Sequence, residues 1–468
     1  MTRGASFRDP GGRVVIRDGR VFREVASAGL TCMDAALNSP AVRAEIERGR
    51  FVRTEVLARD ASGATLEHEA IPFPSFPYEW PPEMLYQAGT LSIELALALA
   101  EEGRGLKDAT PFNVLYRGAT PVFVDLLSVE QRDPRDPLWL ARAQFIRTFV
   151  LPLAAEREFG IPLAQSLMQR DGIEPEAFYR LLSPPARLRP KYLPLVSMPV
   201  WLGARKNPDD ASIYQPHKID DKEKSAYIFQ RGLVALRKAL DGFAPGSRRA
   251  SRWSDYMAAD CSYTPEQFKE KEAFVAEALR QDLSGATSRR VLDVGANTGH
   301  FSRMAARAGA SVVAIDGDSA VAGEIWRQAA AEKLDILPLV VNLAQPTPST
   351  GWRNLECPSF LDRASGTAGG GGFDMVLMLA VVHHMLATER IPLPEIVDLA
   401  ADLTTRFALI EFVDCEDPMF RRLSRGRDEL YANLHADLFE QCVTTRFDIV
   451  RQGAITGSKR TLYLLRKK

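Results

Sequence analysis

Two glycines four residues apart belong to a stretch suited to holding a polar ligand. Val291–Gly299 has the sequence VLDVGANTG and runs from a predicted strand into a predicted helix that begins near His300. Gly295 and Gly299 let the backbone turn tightly and let a ligand approach the main chain, while the helix start offers free N–H groups. Asp316 ends the next predicted strand, 17 residues after Gly299. A carboxylate at that place can accept hydrogen bonds from both hydroxyls of a ribose.

The elements around this loop predict a doubly wound α/β sheet. Short apolar runs such as SVVAID, ILPLVVN and FDMVLML alternate with helix-like stretches. Strands that alternate with helices form parallel sheets covered on both faces. A third predicted strand ends at Asn342, whose amide can both donate and accept at an adenine edge. Because ligands of such sheets bind beyond the carboxyl ends of the strands, we expect the loop, Asp316 and Asn342 to lie together.

The order of the motifs carries a resemblance to a known family. LDVGANTG, AIDGD, LPLVVNLAQ, FDMVLMLAVVHHM, LIEFV and a KRTLYLLRK strand follow one another. Together with the Asp-x-Gly-x-x-x-Gly loop, this order resembles the class I S-adenosylmethionine (SAM)-dependent methyltransferases over about residues 285–468. Two positions depart from the pattern: Asn342 stands where many members carry Asp, and Ala296-Asn297 stands where Cys-Gly is common. The resemblance implies that SAM is the cofactor.

The resemblance also implies which side chains and backbone groups hold SAM. The residues expected to contact it are Asp293, Gly295, Ala296, Asn297, Gly299, Asp316, Asn342, Leu343, Leu379 and Tyr256. The glycine loop would line the methionine moiety, with Asp293 near its amino group. Asp316 would hold the ribose, and Asn342 with Leu343 would flank the adenine. Lys271, in the helices expected to form a lid before the first strand, is a further candidate for contact with SAM.

Three side chains near the strand ends are candidates for catalysis. His383 and His384 follow the fourth strand, where an imidazole could take a proton from a hydroxyl or amine acceptor. The alternative is that one histidine caps the following helix and packs. Glu411, which follows ALI in the fifth strand, is another candidate base, and a structural hydrogen bond is equally open. Methyl transfer is an in-line displacement that positioning accelerates strongly, so a general base is not required.

The N-terminal half contains a second pattern of polar residues. Asp108 is followed five residues later by Asn113, and Asp125 ends the next apolar run. The pattern resembles the catalytic loop and metal site of the aminoglycoside-phosphotransferase and protein-kinase group over about residues 10–200, where the first Asp would be the base and the other two would hold Mg²⁺. Leu106 replaces the group's histidine, no lysine occurs in residues 1–106, and no convincing phosphate loop is present. The prediction is a degenerate kinase-like fold without phosphotransfer; the alternative is an unrelated fold in which Asp108 and Asn113 shape a turn.

These patterns divide the chain into three parts. Residues 1–200 are predicted to form an α+β domain, with a hairpin at Asp18-Gly19 and a long helix over Met84–Glu102. Residues 201–284 are predicted to form a linker and lid helices. Residues 285–468 are predicted to form the methyltransferase domain. The predicted fold class is therefore a doubly wound α/β domain preceded by an α+β domain that resembles a kinase fold.

Composition limits the partners and the compartment. The chain has 468 residues, with 59 Lys and Arg against 60 Asp and Glu, and a net charge of −1. This balance argues against a dedicated nucleic-acid binder. The five cysteines form no CxxC pair, so the sequence predicts no zinc knuckle, no disulfide framework and no metal site, and fits a reducing cytosol. The sequence shows neither a signal peptide nor an apolar run of about 18 residues that could span a membrane.

The sequence therefore predicts a cytosolic SAM-dependent methyltransferase, with a small-molecule, sugar-derived or carrier-linked acceptor and an N-terminal half that binds substrate or a partner. The whole resembles bacterial nodulation-type and secondary-metabolite methyltransferases. Two alternatives stay open. One is an RNA methyltransferase, which a basic face near Arg187, Arg189, Arg248, Arg249 and Arg252 would support. The other is a non-catalytic scaffold that joins a pseudokinase to a SAM-binding unit.

Overall fold

The chain divides into two compact units in the computed structural model, which describes residues 8–203, 218–246, 263–281, 289–367 and 372–468. The N-terminal unit comprises Met1–Tyr116, Thr120–Ser247 and Gly351–Cys357. The C-terminal unit comprises Arg117–Ala119, Arg248–Thr350 and Pro358–Lys468. The segment predicted as linker and lid helices contributes one described helix to each unit.

Short strands make up the β part of the N-terminal half. They are β1 Gly12–Arg17, β2 Arg20–Ala26, β3 Thr54–Arg59, β4 Gly63–His68, β5 Arg104–Leu106, β6 Val114–Arg117, β7 Thr120–Phe123 and β8 Val129–Gln131. The first four form an antiparallel sheet in the order β1-β2-β4-β3. The others form the pairs β5-β8 and β6-β7.

Helices make up the rest of the N-terminal unit. Those described are α1 Leu30–Leu37, α2 Pro40–Glu47, α3 Pro82–Glu101, α4 Arg142–Phe145, α5 Leu151–Phe159, α6 Leu163–Leu167, α7 Pro175–Leu181, α8 Met198–Gly203 and α9 Lys222–Asp241. The long helices α3 and α9 pack against each other. The predicted α+β character of this half is confirmed.

Local chemistry explains the hairpin and the start of α3. Asp18 and Gly19 both have positive φ, 52° and 74°, as a two-residue hairpin turn requires, so the predicted hairpin is confirmed. The proline-rich connector before α3 is ordered by burial: Trp80 is 1% exposed, and its indole N–H donates to the Ser75 hydroxyl at 2.9 Å. Pro82 then occupies the first helical position, where a missing N–H is tolerated.

A seven-stranded sheet organises the C-terminal unit. Its strands are β9 Arg290–Val294, β10 Ser311–Asp316, β11 Ile336–Val340, β12 Phe373–Met378, β13 Thr404–Val413, β14 Phe447–Ala454 and β15 Arg460–Lys467. The order is β11-β10-β9-β12-β13-β15-β14, and the first five in that order are parallel. β15 is antiparallel to both of its neighbours. The predicted doubly wound α/β fold is confirmed.

Helices connect these strands and cover the sheet. Those described are α10 Pro265–Gln281, α11 His300–Arg307, α12 Ser319–Glu332, α13 Phe360–Ala364, α14 Val382–Ala387, α15 Leu393–Leu403, α16 Pro418–Ser424 and α17 Ala436–Val443. Every residue of β9 and of β12 is buried, as expected for parallel strands covered on both faces. The chain order reverses between β9 and β12, so the sheet opens a crevice at their carboxyl ends. Within the described ranges, no helix is long and apolar enough to cross a membrane.

Candidate active site

The glycine loop joins β9 to α11 through three residues of positive φ. Gly295, Asn297 and Gly299 have φ of 65°, 48° and 76°. Gly299 is the N-cap of α11, and a Cβ there would lie 3.0 Å from the Ile325 side chain. Glycine is therefore required at this position for both conformation and space. The backbone of this loop lies at the carboxyl edge of the sheet, where we expect a ligand to contact it.

Asp316 holds the glycine loop against the end of β10. The backbone N–H of Asn297 donates to its Oδ2 at 3.0 Å, and that of Asp318 donates to its Oδ1 at 2.9 Å. Burial raises the pKa of Asp316 even though these N–H groups favour its charged form. A carboxylate has about four acceptor sites. The backbone N–H of Gly317 also acts on this carboxylate, and the acceptor capacity that remains suits a ribose hydroxyl.

Asp293 lies deeper in the unit than the other predicted SAM contacts. It is 3% exposed, and its carboxylate accepts a hydrogen bond from the Ser302 hydroxyl at 2.6 Å. Burial raises the pKa of Asp293 to about 6. The contact ties the end of β9 to α11 from behind the loop, so Asp293 orders the loop in addition to any contact with a ligand amino group.

The remaining predicted SAM contacts frame the same edge. Ala296, Leu343 and Leu379 are 8%, 8% and 7% exposed, which provides an apolar lining. Asn342 is exposed just beyond β11, and its side-chain oxygen accepts from the backbone N–H of Ala344 at 3.0 Å. Its amide nitrogen is the group that would face an adenine edge. Tyr256 lies outside the described residues.

The structure fits the cofactor that the resemblance implies. The glycines allow the positive-φ turn between strand and helix, the second strand ends in a partly buried carboxylate, and the third is followed by an amide. All of these groups meet at the crevice beside β9, as expected from the sheet order. The loop, Asp316, Asn342 and the apolar lining would hold SAM there.

His383 presents an unusual pair of polar atoms next to this crevice. Its ring is fully buried in α14, and both ring nitrogens lack a hydrogen-bond partner within the described part of the chain. Its neighbour His384 lies 4.3 Å away between ring centroids. Burial lowers the pKa of His383 well below its usual range, and the charges of Arg460 and Lys271 act in the same direction. The lowered pKa favours the neutral imidazole at physiological pH.

Glu411 lies at the centre of a buried charge cluster. Its Oε2 is 2.6 Å from Lys271 Nζ and its Oε1 is 3.4 Å from Arg460 Nη1, and the Tyr263 hydroxyl donates to it. Arg460 also pairs with Asp417 at 2.9 Å. Burial opposes ionisation, yet Lys271 and Arg460 lower the pKa of Glu411. These contacts favour the structural alternative for Glu411 over a role as a base.

The charge cluster connects elements that sequence reasoning treats separately. Lys271 comes from α10, Glu411 from β13 and Arg460 from β15. Lys271, a candidate for contact with SAM, pairs with Glu411, and the sequence analysis does not single out Arg460. The only sequence signal for the cluster is that charged residues interrupt otherwise apolar strands.

The N-terminal polar residues also meet in space. Asp125 accepts from Arg23 Nη1 at 2.7 Å and from the Ser128 hydroxyl at 2.5 Å. The side-chain amide of Asn113 donates to that hydroxyl at 3.2 Å. Burial and the charge of Asp125 raise the pKa of Asp108. Arg23 is 4% exposed, so the carboxylate expected to hold Mg²⁺ by the kinase resemblance already has an internal cation, which sequence reasoning missed.

The sheet order and the glycine loop with its strand-end acid agree with what the resemblance to class I SAM-dependent methyltransferases predicts for the C-terminal unit. Over nearly its whole length the chain is similar to the nodulation protein NoeA of Rhizobium meliloti (strain 1021), with 29% identity over 468 residues, 98% of this chain and 94% of NoeA. No known protein-family profile matches the chain.

Two solved structures show weaker similarity. One is the N-methyltransferase NodS of Bradyrhizobium japonicum WM9, with 14% identity and a TM-score of 0.31 over 44% of this chain and 99% of NodS. The other is the bifunctional kinase-methyltransferase WbdD, with 18% identity and a TM-score of 0.30 over 45% of this chain. The chain spans 41% of the length of WbdD.

Replacing Asp316 should weaken SAM binding. Asp316→Ala removes a charged acceptor of ribose hydroxyls, worth ~1.5–3 kcal/mol, and Kd should rise about tenfold or more. Asp316→Asn keeps one side-chain oxygen for the loop but removes the charge. Its Kd for SAM should lie between those of the wild type and Asp316→Ala. Calorimetry on folded variants checks this, with Asp437→Ala, an exposed carboxylate on α17, as control. Unchanged SAM affinity in a folded Asp316→Ala protein would contradict the assignment.

Removing Lys271 should destabilise the protein at neutral pH. Lys271→Met leaves the Glu411 carboxylate without its nearest cation, and breaking a buried ion pair in this way costs about 3–5 kcal/mol. The control is Lys269→Met, an exposed lysine on the same helix. Urea unfolding should show the difference. Because the folded-state pKa of Glu411 is lowered in the wild type, the stabilisation is present at neutral pH and lost as pH falls, so the deficit of the variant should shrink in acid. A deficit that does not depend on pH would indicate lost packing instead.

Proposed function

We propose that the chain methylates a small-molecule, sugar-derived or carrier-linked acceptor with SAM, and that its N-terminal unit binds the substrate or a partner. One observation carries the proposal: the backbone N–H of Asn297 donates to Asp316, which holds the glycine loop beside the strand-end carboxylate. This arrangement supports binding of a nucleoside with a polar tail. The similarity to NoeA extends over both units of this chain, which supports a role in which the two units act together.

Bound SAM would supply a methyl group on a positively charged sulfur. The chain's own residues would position it. The glycine loop fixes the backbone beside the methionine moiety, Asp316 orients the ribose, and Ala296, Leu343 and Leu379 exclude water from the lining. Because displacement at the methyl carbon needs the acceptor in line with the leaving sulfur, this positioning provides much of the rate enhancement.

We propose that His383 forms a hydrogen bond with the methyl acceptor. Its neutral ring can accept a hydrogen bond from an N–H or O–H group through one nitrogen, and donate one through the other. A substrate amine or hydroxyl would therefore give His383 the partner that it lacks within the described residues. His384, which packs against it, would hold the ring in place.

The properties of the chain favour a small acceptor over RNA. Its net charge is −1, so no excess of cations is available to hold a polyanion. Of the arginines proposed as a basic face, Arg248, Arg249 and Arg252 lie outside the described residues. Arg187 is engaged within its own unit, where it donates to the Leu182 carbonyl at 3.1 Å and lies over the Tyr179 ring.

SAM consumption separates the proposed function from both alternatives. The full chain would be incubated with SAM and, in parallel, a cell metabolite extract or a total RNA fraction. We expect turnover with the metabolite extract. Turnover with RNA alone would support the RNA methyltransferase, and tight SAM binding without turnover in either arm would support the scaffold.

Replacing His383 should lower turnover without loss of SAM affinity. His383→Gln keeps groups that can hydrogen-bond but removes the basic ring nitrogen, and loss of a positioned proton acceptor costs about 10²–10⁴-fold. His384→Gln, at the neighbouring position, is the matched control and should lower turnover less than His383→Gln. Because the pKa of His383 is lowered, turnover should not fall as pH passes through the ordinary histidine value of about 6.5. A folded double His383→Ala/His384→Ala variant with full activity would show that positioning alone drives the transfer.

The N-terminal unit should not transfer phosphate. Arg23 pairs with Asp125, and because residues 1–106 contain no lysine, the strand lysine that would contact the phosphates of ATP is absent. Thermal unfolding of the full chain should therefore show no Mg-ATP shift, and a phosphate-release assay should show no turnover. A Mg²⁺-dependent shift with turnover, abolished in Asp125→Ala, would make the chain bifunctional and contradict this prediction.

A further inference from the structure

Three side chains of different chemistry meet just beyond the carboxyl end of β13. They are Asp414, Cys415 and His435, and one potential ligand atom from each lies within 4.8 Å of the others. His435 Nδ1 is 3.0 Å from Asp414 Oδ2 and 3.8 Å from Cys415 Sγ. A carboxylate, a thiol and an imidazole are together the donor set that zinc-class dications prefer.

Backbone contacts hold the two contributing segments in place. The N–H of Asp414 donates to the Lys459 carbonyl at 3.0 Å, and that of Cys415 donates to the Leu434 carbonyl at 3.2 Å. His435 follows Leu434 directly and is the N-cap residue of α17. The cluster is thus fixed by main-chain bonds at the ends of regular elements.

The separations match the edges of a metal-centred tetrahedron. With metal bonds of ~2.0–2.2 Å to nitrogen and oxygen and ~2.3 Å to sulfur, neighbouring ligand atoms lie roughly 3.3–3.6 Å apart. The observed 3.0 and 3.8 Å bracket these values, so shifts of a few tenths of an ångström would admit an ion. An Asp–His hydrogen bond alone would account for the shorter contact but not for a thiol placed beside the same nitrogen.

We propose that Asp414, Cys415 and His435 form a binding site for a zinc-class divalent cation, separate from methyl transfer. His435 would bind through Nδ1, Asp414 through Oδ2 and Cys415 as a thiolate. Glu416, the nearest further carboxylate along the chain, is paired with Lys459 at 2.5 Å, so the fourth position is open to water. Binding replaces the thiol proton, which leaves to solvent.

The site is accessible from solvent. The His435 side chain is 50% exposed and that of Asp414 is 18% exposed, so an ion can enter without unfolding. A site with three protein ligands and an open fourth position differs from closed structural zinc sites, which take four protein ligands. We therefore expect reversible binding and a folded protein without the ion.

The test is metal titration of the full chain after treatment with a chelator. Zn²⁺ should bind one equivalent in competition with a chromophoric chelator, and Co²⁺ should give the near-ultraviolet absorption of a thiolate-bound ion. Cys415→Ser should abolish the thiolate band and weaken Zn²⁺ binding at least ~10–100-fold, the loss that removing even an outer-shell partner causes. Cys442→Ser, a partly exposed cysteine on α17, is the matched control and should behave as wild type.

His435→Asn provides a second variant that keeps the thiol. It should weaken Zn²⁺ binding to the same extent, and circular dichroism of each variant checks that it is folded. Equal Zn²⁺ affinity in wild type, Cys415→Ser and His435→Asn, or a Co²⁺ complex without a thiolate band, would overturn the proposal. Calorimetric SAM binding is measured in parallel, because failure of the metal site leaves SAM binding intact.

Discussion

Glu411 is a fully buried carboxylate within β13, and its charge must be balanced for the C-terminal unit to fold. Lys271 and Arg460 provide that balance from the two elements that flank β13 in space but not in sequence. The contact fixes α10 beside the sheet and holds β15 in register. Burial is the main cause of the lowered pKa of His383, and the charges of His384 and of the same two cations act in the same direction. The cluster thus adds to an effect that burial of the ring already produces.

The two sides of the crevice are built on different principles. The SAM side depends on main-chain geometry, with positive-φ glycines and backbone N–H groups that donate to Asp316. Such geometry changes little when side chains vary. The proposed acceptor side would depend on a buried side chain, His383. Under that proposal, substitutions there would change acceptor binding and leave the SAM side in place.

The sequence predicted the parts of the site that are determined locally. A glycine loop between a strand and a helix, and an acid at the next strand end, follow from neighbours along the chain, so Gly295, Gly299 and Asp316 could be placed. The parallel sheet followed from apolar runs alternating with helices. Ion pairs could not be predicted in the same way, since Arg460 lies 49 residues from Glu411 and Arg23 lies 102 residues from Asp125. Whether a carboxylate acts as a base, a metal ligand or a structural partner depends on that distant cation.

The position of β15 has a consequence for synthesis of the chain. It follows β14 in sequence but lies between β13 and β14 in the sheet, so β14 reaches the sheet only through it. A ribosome delivers β13 and β14 first, and until β15 emerges β13 presents an unpaired, apolar strand edge of the kind that promotes aggregation. Arg460 belongs to the same strand, so Glu411 also lacks its second cation until β15 has been synthesised. A prematurely terminated chain would carry both an open edge and an unbalanced buried charge, two features by which quality control distinguishes an incomplete protein from a finished one.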